Sequence, residues 1–228
     1  MRLKDKVAIV TGAGSGFGEG IAKRFAHEGA KVIVNDINAR GGERVAGEIA
    51  TAGGKALFVR ADVTRGGEWA GMIGAAESAF GGLDVVVNNA GWTHRKKPYL
   101  DVTEAEFDRV YSVNVKSVYL SAMHAVPVFR KRGGGAFVNI ASTAGIRPRP
   151  GLSVYNSSKA AVILLSKSMA AEFGPDRIRV NCVNPVFSPE TGLSADFAGG
   201  TISPEVRAAY LATIPLGRFS TPLDVANA

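Results

Sequence analysis

The chain has 228 residues, 46% of them hydrophobic and 21% charged, with a formal net charge of +7. That balance is the one of a globular domain with a well-buried core, and it excludes disordered and collagen-like chains. The basic residues are scattered rather than gathered on one helix face, so nucleic acid is not an expected partner.

In chain order, Met1–Lys6 runs into only a short apolar stretch, without the apolar centre of a secretion signal, and no run approaches the roughly 20 residues of a membrane span. A cytoplasmic location with no membrane partner is the expectation. Strand-length apolar runs rich in Val and Ile follow at residues 7–11, 31–35, 56–60, 83–88, 136–141 and 178–183. Amphipathic segments between them predict helices over 16–28, 39–52, 65–80, 103–132 (broken near Pro127) and 153–174. Gly29, Gly53, Gly81, Gly133 and Gly174 stand where these helices should stop. Thr103 and Glu106 have capping-box spacing. Continuous apolar strands alternating with helices imply one α/β domain, a doubly wound parallel sheet with helices on both faces. The lone Cys182 lies in the sixth run, cannot form an internal disulfide, and is expected to be buried and inert in a reducing compartment.

Beyond residue 184 the pattern loosens into prolines and glycines, with a short helix predicted over 204–212. An excursion leaving the carboxyl end of a strand, here about 186–214, is where an α/β protein builds a mobile substrate cover. A further helix begins near Pro222. The basic stretch His94–Lys97, with Arg147 and Arg149, reads either as solvated loop or as attraction for an anionic substrate.

The stretch TGAGSGFG, residues 11–18, follows the first strand and opens the first helix. A G-x-G-x-x-G fingerprint would need glycine where Phe17 stands. Gly12, Gly16 and Gly18 instead form G-x-x-x-G-x-G. Glycine lets the backbone approach a pyrophosphate, and a helix amino terminus offers free N–H groups and a favourable dipole. With this spacing and context the chain resembles the short-chain dehydrogenase/reductase family, whose nucleotide loop is one form of the Rossmann fold. The resemblance implies cofactor contacts from Gly12, Ser15, Gly16, Phe17 and Gly18. Asp36, at the end of the second strand, stands where an acidic residue binds the adenosine ribose diol and repels a 2'-phosphate. Neither Ser15 nor Ile37 supplies a compensating cation, so NAD is expected over NADP, although Arg40 is within reach of a phosphate. Asp62 and Val63 resemble the family's adenine contact, and Asn88-Asn89-Ala90-Gly91 resembles the segment lining its cofactor channel.

Tyr155 and Lys159 are one helical turn apart and share a face. A free phenol titrates near 10 and is a sluggish base at neutral pH, and a nearby cation should favour its ionisation. With Ser142 thirteen residues upstream of Tyr155, the resemblance implies Tyr155 as general acid and base, Lys159 as its activator and ribose ligand, and Ser142 positioning the substrate oxygen. Asn114 matches the asparagine that the family uses to hold a water leading from the lysine to solvent. No metal is called for.

The family often carries Asn-Pro-Gly after the sixth strand, where this chain reads Asn184-Pro185-Val186. Pro185 and Thr191 are the expected contacts to the carboxamide end of the cofactor. Position alone nominates Trp92, His94, Arg147, Leu152, Phe187 and Leu193 for the substrate pocket. Family members add a further helix and a seventh strand after the segment resembling Pro215–Arg218, so the natural chain is expected to continue past Ala228. The implied function is hydride exchange between a nicotinamide cofactor and a secondary alcohol or ketone, an anionic one being possible. Similarity to 3-oxoacyl-carrier-protein reductases and to sugar or polyol dehydrogenases leaves the subfamily open. The alternative is a non-catalytic sensor or scaffold. A homodimer or homotetramer is implied by the family's helix and final-strand interfaces.

Overall fold

The computed structural model describes residues 1–228 and turns the six apolar runs into six parallel strands. They are β1 (Val7–Thr11), β2 (Lys31–Asp36), β3 (Lys55–Arg60), β4 (Val85–Asn88), β5 (Gly135–Ile140) and β6 (Ile178–Val183). Their spatial order is β3-β2-β1-β4-β5-β6. The chain moves outward from β1 to β3, then returns to lay β4 on the other side of β1. A crevice opens at that reversal, outside the carboxyl ends of the strands, which is where open parallel sheets bind ligands.

Nine α-helices connect or follow the strands: α1 (Gly16–His27), α2 (Ala39–Thr51), α3 (Gly66–Phe80), α4 (Glu104–Tyr111), α5 (Ser117–Arg132), α6 (Ser153–Phe173), α7 (Ser194–Ala198), α8 (Pro204–Leu211) and α9 (Pro222–Asn227). Successive strand residues point to opposite faces. Val7, Ile9 and Ile33 therefore enter one core with Trp69, Met72, Phe129 and Val162 of α3, α5 and α6. Val10, Val32 and Val34 enter the other with Ile21, Val45, Ile49 and Val225 of α1, α2 and α9. Burial on both faces is why the strands read as unbroken apolar runs. A third, smaller cluster gathers Tyr155 with Phe187, Phe197, Ile214 and Phe219.

Two helix details depart from the sequence reading. The long segment after residue 103 does break, but at a π-helical turn over Ser112–Lys116 rather than at Pro127, which sits inside α5. The Ser117 N–H reaches back five residues to the Ser112 carbonyl, and the widened turn carries Asn114. Gly174 does not take the left-handed conformation of a helix-ending glycine; the chain continues into a 3-10 turn and Arg177 makes the left-handed step. The Thr103–Glu106 capping box forms as expected, and Thr221 with Asp224 forms a second at α9. No helix is long and apolar enough to cross a membrane.

Candidate active site

The glycine loop is shaped by left-handed backbone at Gly12 and Gly16 and by close packing at Gly12 and Gly18. Gly12 and Gly16 have φ of +62° and +56°. A Cβ at Gly18 would lie 2.1 Å from the Gly12 carbonyl oxygen and 2.5 Å from Asn89 Nδ2. Gly18 is thus buried behind the loop and lets α1 close on β1. Asn89 Nδ2 donates to the carbonyls of Thr11 (2.8 Å) and Gly12 (3.1 Å). The Thr11 hydroxyl accepts from the Asn89 and Ala90 N–H groups, each at 3.0 Å. These bonds tie the ends of β1 and β4 together across the crevice. Ser15 caps no helix N–H with its side chain, so the first-turn N–H groups of α1 are open to an anion.

A cleft of about 370 Å³ runs along this end of the sheet. Gly12, Ser15, Gly16, Phe17, Asp36, Asp62, Val63, Asn89, Ala90, Gly91, Ser142, Tyr155, Lys159, Pro185 and Thr191 all line it. Of the expected site residues, only Gly18 and Asn114 do not. Asp36 is fixed at one end: its Oδ2 accepts from the Gly14 N–H at 2.8 Å and its Oδ1 from the Asn38 N–H at 2.9 Å. Asp62 Oδ1 accepts from the Thr64 N–H and hydroxyl at 2.9 and 2.7 Å. Arg44, the cation beside the loop, is held by Glu19 and Glu48 and donates to the Gly14 carbonyl. Arg40 is exposed and pairs with no acid.

At the other end Ser142, Tyr155 and Lys159 come together, all buried. Burial pushes the Tyr155 phenol up to about 12, a rise that the hydrogen-bonding Ser142 hydroxyl opposes without cancelling. Burial also pulls the Lys159 ammonium down to about 8. Lys159 Nζ donates to the Ile140 carbonyl at 2.9 Å and lies 5.8 Å from the centre of the Tyr155 ring. Loss of solvent thus raises the phenol, against the expectation that a nearby cation would favour its ionisation. A phenol held protonated beside a serine hydroxyl can give a proton to a carbonyl oxygen.

Asn114 is buried beneath the cleft. Its Oδ1 accepts from the Trp92 N–H at 2.8 Å, and its Nδ2 donates to the Trp92 carbonyl at 3.0 Å and the Ser158 hydroxyl at 2.9 Å. A Cβ on Gly91 would stand 3.5 Å from both Asn114 Oδ1 and Lys159 Nζ, so those two groups share the space above that glycine.

Beyond β6 the chain folds back over the cleft. The Pro185 carbonyl accepts from the Thr143 N–H at 3.1 Å, and Val186 takes its place without a positive φ, so the family's glycine is not needed there. Phe187 stacks on Tyr210 at 4.3 Å and meets Phe197, which stands edge-on to Tyr155 at 5.4 Å. Thr191 lies over Gly16 and donates its hydroxyl to the Ser188 carbonyl. The basic stretch braces this cover while Arg95 and Lys96 stay exposed: Arg95 Nε donates to the Gly199 carbonyl and the Lys96 N–H to that of Asp196.

Of the positional pocket nominees, Trp92, Phe187 and Leu193 line the cleft. His94 is buried beneath it, and Arg147 and Leu152 line a neighbouring groove. Arg109, Ser188 and Phe197, which the sequence did not single out, also line the cleft, as does Arg149, which the sequence marked as solvated loop or attraction for an anionic substrate. Cys182 is only half-buried, against the expectation of full burial, because its strand is the sheet's last; burial still pushes its thiol up.

A family model described as enoyl-(acyl carrier protein) reductase matches residues 12–228. The chain is 52% identical over 228 residues to a 4-formylbenzenesulfonate dehydrogenase of Comamonas testosteroni, covering 100% of this chain and 90% of the relative. It is 38% identical over 226 residues to a 2,5-dichloro-2,5-cyclohexadiene-1,4-diol dehydrogenase of Sphingobium indicum, covering 99% and 88%. Among solved structures, a 3-ketoacyl-(acyl-carrier-protein) reductase from Brucella melitensis complexed with NADH superposes with a TM-score of 0.91 at 43% identity. That match covers 99% of this chain and 89% of the other.

Proposed function

The chain belongs to the short-chain dehydrogenase/reductase family, and from that premise we propose that Tyr155 is the general acid and base of its reaction. The protein is an oxidoreductase acting on CH–OH donors with a nicotinamide cofactor, rather than a sensor that keeps only the fold. The observation that carries the assignment is the buried meeting of Ser142, Tyr155 and Lys159 in the same cleft as the glycine loop.

The cleft fits a dinucleotide on its own terms. A loop with left-handed glycines at 12 and 16 and no room for a Cβ at Gly18, at the open amino terminus of α1, suits a pyrophosphate. Gly12, Ser15, Gly16 and Phe17 would hold the phosphates, with Gly18 keeping the loop's shape from behind. Asp36 would hold the adenosine ribose, and Asp62 with Val63 the adenine. Asn89, Ala90, Gly91 and Lys159 would line the nicotinamide ribose, and Pro185 with Thr191 its carboxamide. NAD is favoured over NADP because the Asp36 carboxylate is fixed in place and Arg44 is already paired. When bound, the nicotinamide gives a hydride in reduction and takes one up in oxidation.

In reduction the Tyr155 hydroxyl gives its proton to the substrate carbonyl oxygen, and in oxidation the phenolate takes the alcohol proton. The Ser142 hydroxyl positions that oxygen. Lys159, anchored on the Ile140 carbonyl, holds a cation near the phenol and binds ribose. Asn114 is a positioning residue that fixes the Trp92 backbone against α6 through Ser158. Residues 186–214 belong to the same single domain as its substrate cover. From the relative named for 4-formylbenzenesulfonate we carry over a small aromatic alcohol or carbonyl compound as the substrate class.

Phe107, Tyr119, Met123 and Leu164 expose apolar surface on α4, α5 and α6, which supports a homodimer or homotetramer; a monomer mass in light scattering would contradict it. A cytoplasmic setting suits the lone thiol. The test is a panel of secondary and benzylic alcohols and their carbonyl partners, run with both NAD(H) and NADP(H). Turnover with NAD, and a loss of about 10²- to 10⁴-fold in Tyr155→Phe with NADH binding retained, is the expected result. Nucleotide binding without turnover of any compound, or full activity in Tyr155→Phe, would refute the reading.

A further inference from the structure

We propose that the catalytic end of the cleft takes an aromatic substrate carrying an anionic group, and that the Arg149 guanidinium binds that group. The proposal rests on the oxidoreductase reading above and adds its specificity residue.

Charge along the cleft is divided. Asp36 and Asp62 lie at the nucleotide end, whereas the other charged lining residues, Lys159, Arg109 and Arg149, are all cations. Lys159 donates to the Ile140 carbonyl, and Arg109 rides on the exposed face of α4, 4.2 Å over the Trp92 ring. Arg149 differs from both. It is half-buried, its side chain makes no ion pair, and its guanidinium donates no hydrogen bond to the protein. The other half-buried arginine, Arg24, pairs with Glu28. A guanidinium offers planar, paired donors that match a carboxylate or sulfonate.

The backbone beneath it is held. Pro148 and Pro150 flank Arg149, and its carbonyl accepts from Asn156 Nδ2 at 2.9 Å. Asn156 is buried and directly follows Tyr155, so the residue that carries the guanidinium is tied to the turn of α6 that carries the phenol. An aromatic wall spans the distance between the two groups. The guanidinium carbon lies 5.2 Å from the centre of the Tyr210 ring, at the border between the cleft and the neighbouring groove, both of which Arg149 lines; Tyr210 stacks on Phe187, and Phe187 meets Phe197 against Tyr155. A flat ring lying on that wall, with its reacting carbon at Tyr155, directs a substituent on its far side toward Arg149.

The probes are 4-(1-hydroxyethyl)benzoate, its uncharged methyl ester, and 4-(1-hydroxyethyl)benzenesulfonate, each assayed with NAD and NADP. The two anions should exceed the ester in kcat/KM by about 30- to 100-fold, the factor expected of a charge-assisted hydrogen-bonded contact. Arg149→Gln should collapse that ratio mainly through KM, Arg149→Lys should restore part of it, and Arg147→Gln should keep it. Calorimetric titration of benzenesulfonate into the protein saturated with NADH should show binding that Arg149→Gln weakens by a similar factor, at an unfolding temperature close to the parent's. Turnover of all three probes without discrimination, equal losses on acid and ester in Arg149→Gln, or collapse of the ratio in Arg109→Gln instead would overturn the proposal. If none of the probes reacts but an uncharged 3-oxoacyl thioester does, this inference fails and the oxidoreductase reading stands. If no alcohol or carbonyl compound reacts with either nucleotide, the reading beneath it fails.

Discussion

Replacing Lys159 by methionine should abolish most activity while making the protein more stable. The side chain is buried, and the fall of its ammonium from 10.5 to about 8 is caused first by desolvation. At about 1.36 kcal/mol per unit, a depression of that size means that the charged form costs about 3 kcal/mol at neutral pH. Methionine has a similar length and no charge, but it forfeits the bond to the Ile140 carbonyl, worth about 1 kcal/mol. Lys159→Met should therefore gain about 2 kcal/mol at pH 7. The sign with pH is fixed by linkage: below about 8 both folded and unfolded chains keep the proton and the whole cost is present. Between about 8 and 10.5 the unfolded chain still binds the proton that the folded one has released, so parent stability rises with pH. The advantage of the variant should shrink almost to nothing by about pH 9.5. Urea unfolding of parent and variant at pH 7 and 9.5 measures it. A variant less stable than the parent at pH 7, or a difference that does not move with pH, would show that burial is not what governs this lysine.

Gly18→Ala should damage nucleotide binding from a position that does not face the cleft. Its Cβ would lie 2.1 Å from the Gly12 carbonyl oxygen, so the loop must shift, with a stability loss of about 1–3 kcal/mol and at least a tenfold loss of NADH affinity by fluorescence titration. Parent-like affinity would contradict the packing argument. Asp36→Ser should raise the ratio of NADP to NAD in kcat/KM by about 10- to 100-fold, because like charges brought together cost several kcal/mol. An unchanged ratio would remove Asp36 from cofactor choice.

What was legible in the sequence was what local pattern or short spacing encodes. Val7–Val10 and Lys31–Val34 announce buried parallel strands because both faces of each are covered. Tyr155 and Lys159 lie on one helix, so their proximity follows from the pitch alone. Asn114 was legible as a residue but not as a position. Its bonds to Trp92 and Ser158 join segments distant in the chain, and the π-helical turn that lets it reach them has no mark comparable to the Pro127 that drew attention instead. The same limit explains Arg147 and Arg149. Both adjoin Pro148, two residues apart, and both line the neighbouring groove; only Arg149, whose carbonyl takes the side-chain bond from Asn156, also lines the cleft.

The ionisation of Tyr155 shows why a correct pairing of residues still leaves the chemistry undecided. Spacing supplies a cation next to a phenol, and charge proximity by itself favours the phenolate. Burial acts on both partners in the opposite sense, raising the phenol to about 12 and lowering the ammonium to about 8. As pH rises, the first proton to leave this pair is therefore the lysine's. The phenol keeps its own across the neutral range, ready to protonate a carbonyl oxygen, and the reduction direction needs no prior ionisation. Oxidation needs the phenolate, so its rate should climb with pH more steeply and further into the alkaline range than the rate of reduction. Initial rates of a single alcohol and ketone pair from pH 6 to 10 compare the two limbs. If both directions share one pH profile, desolvation does not set the protonation of Tyr155 during turnover.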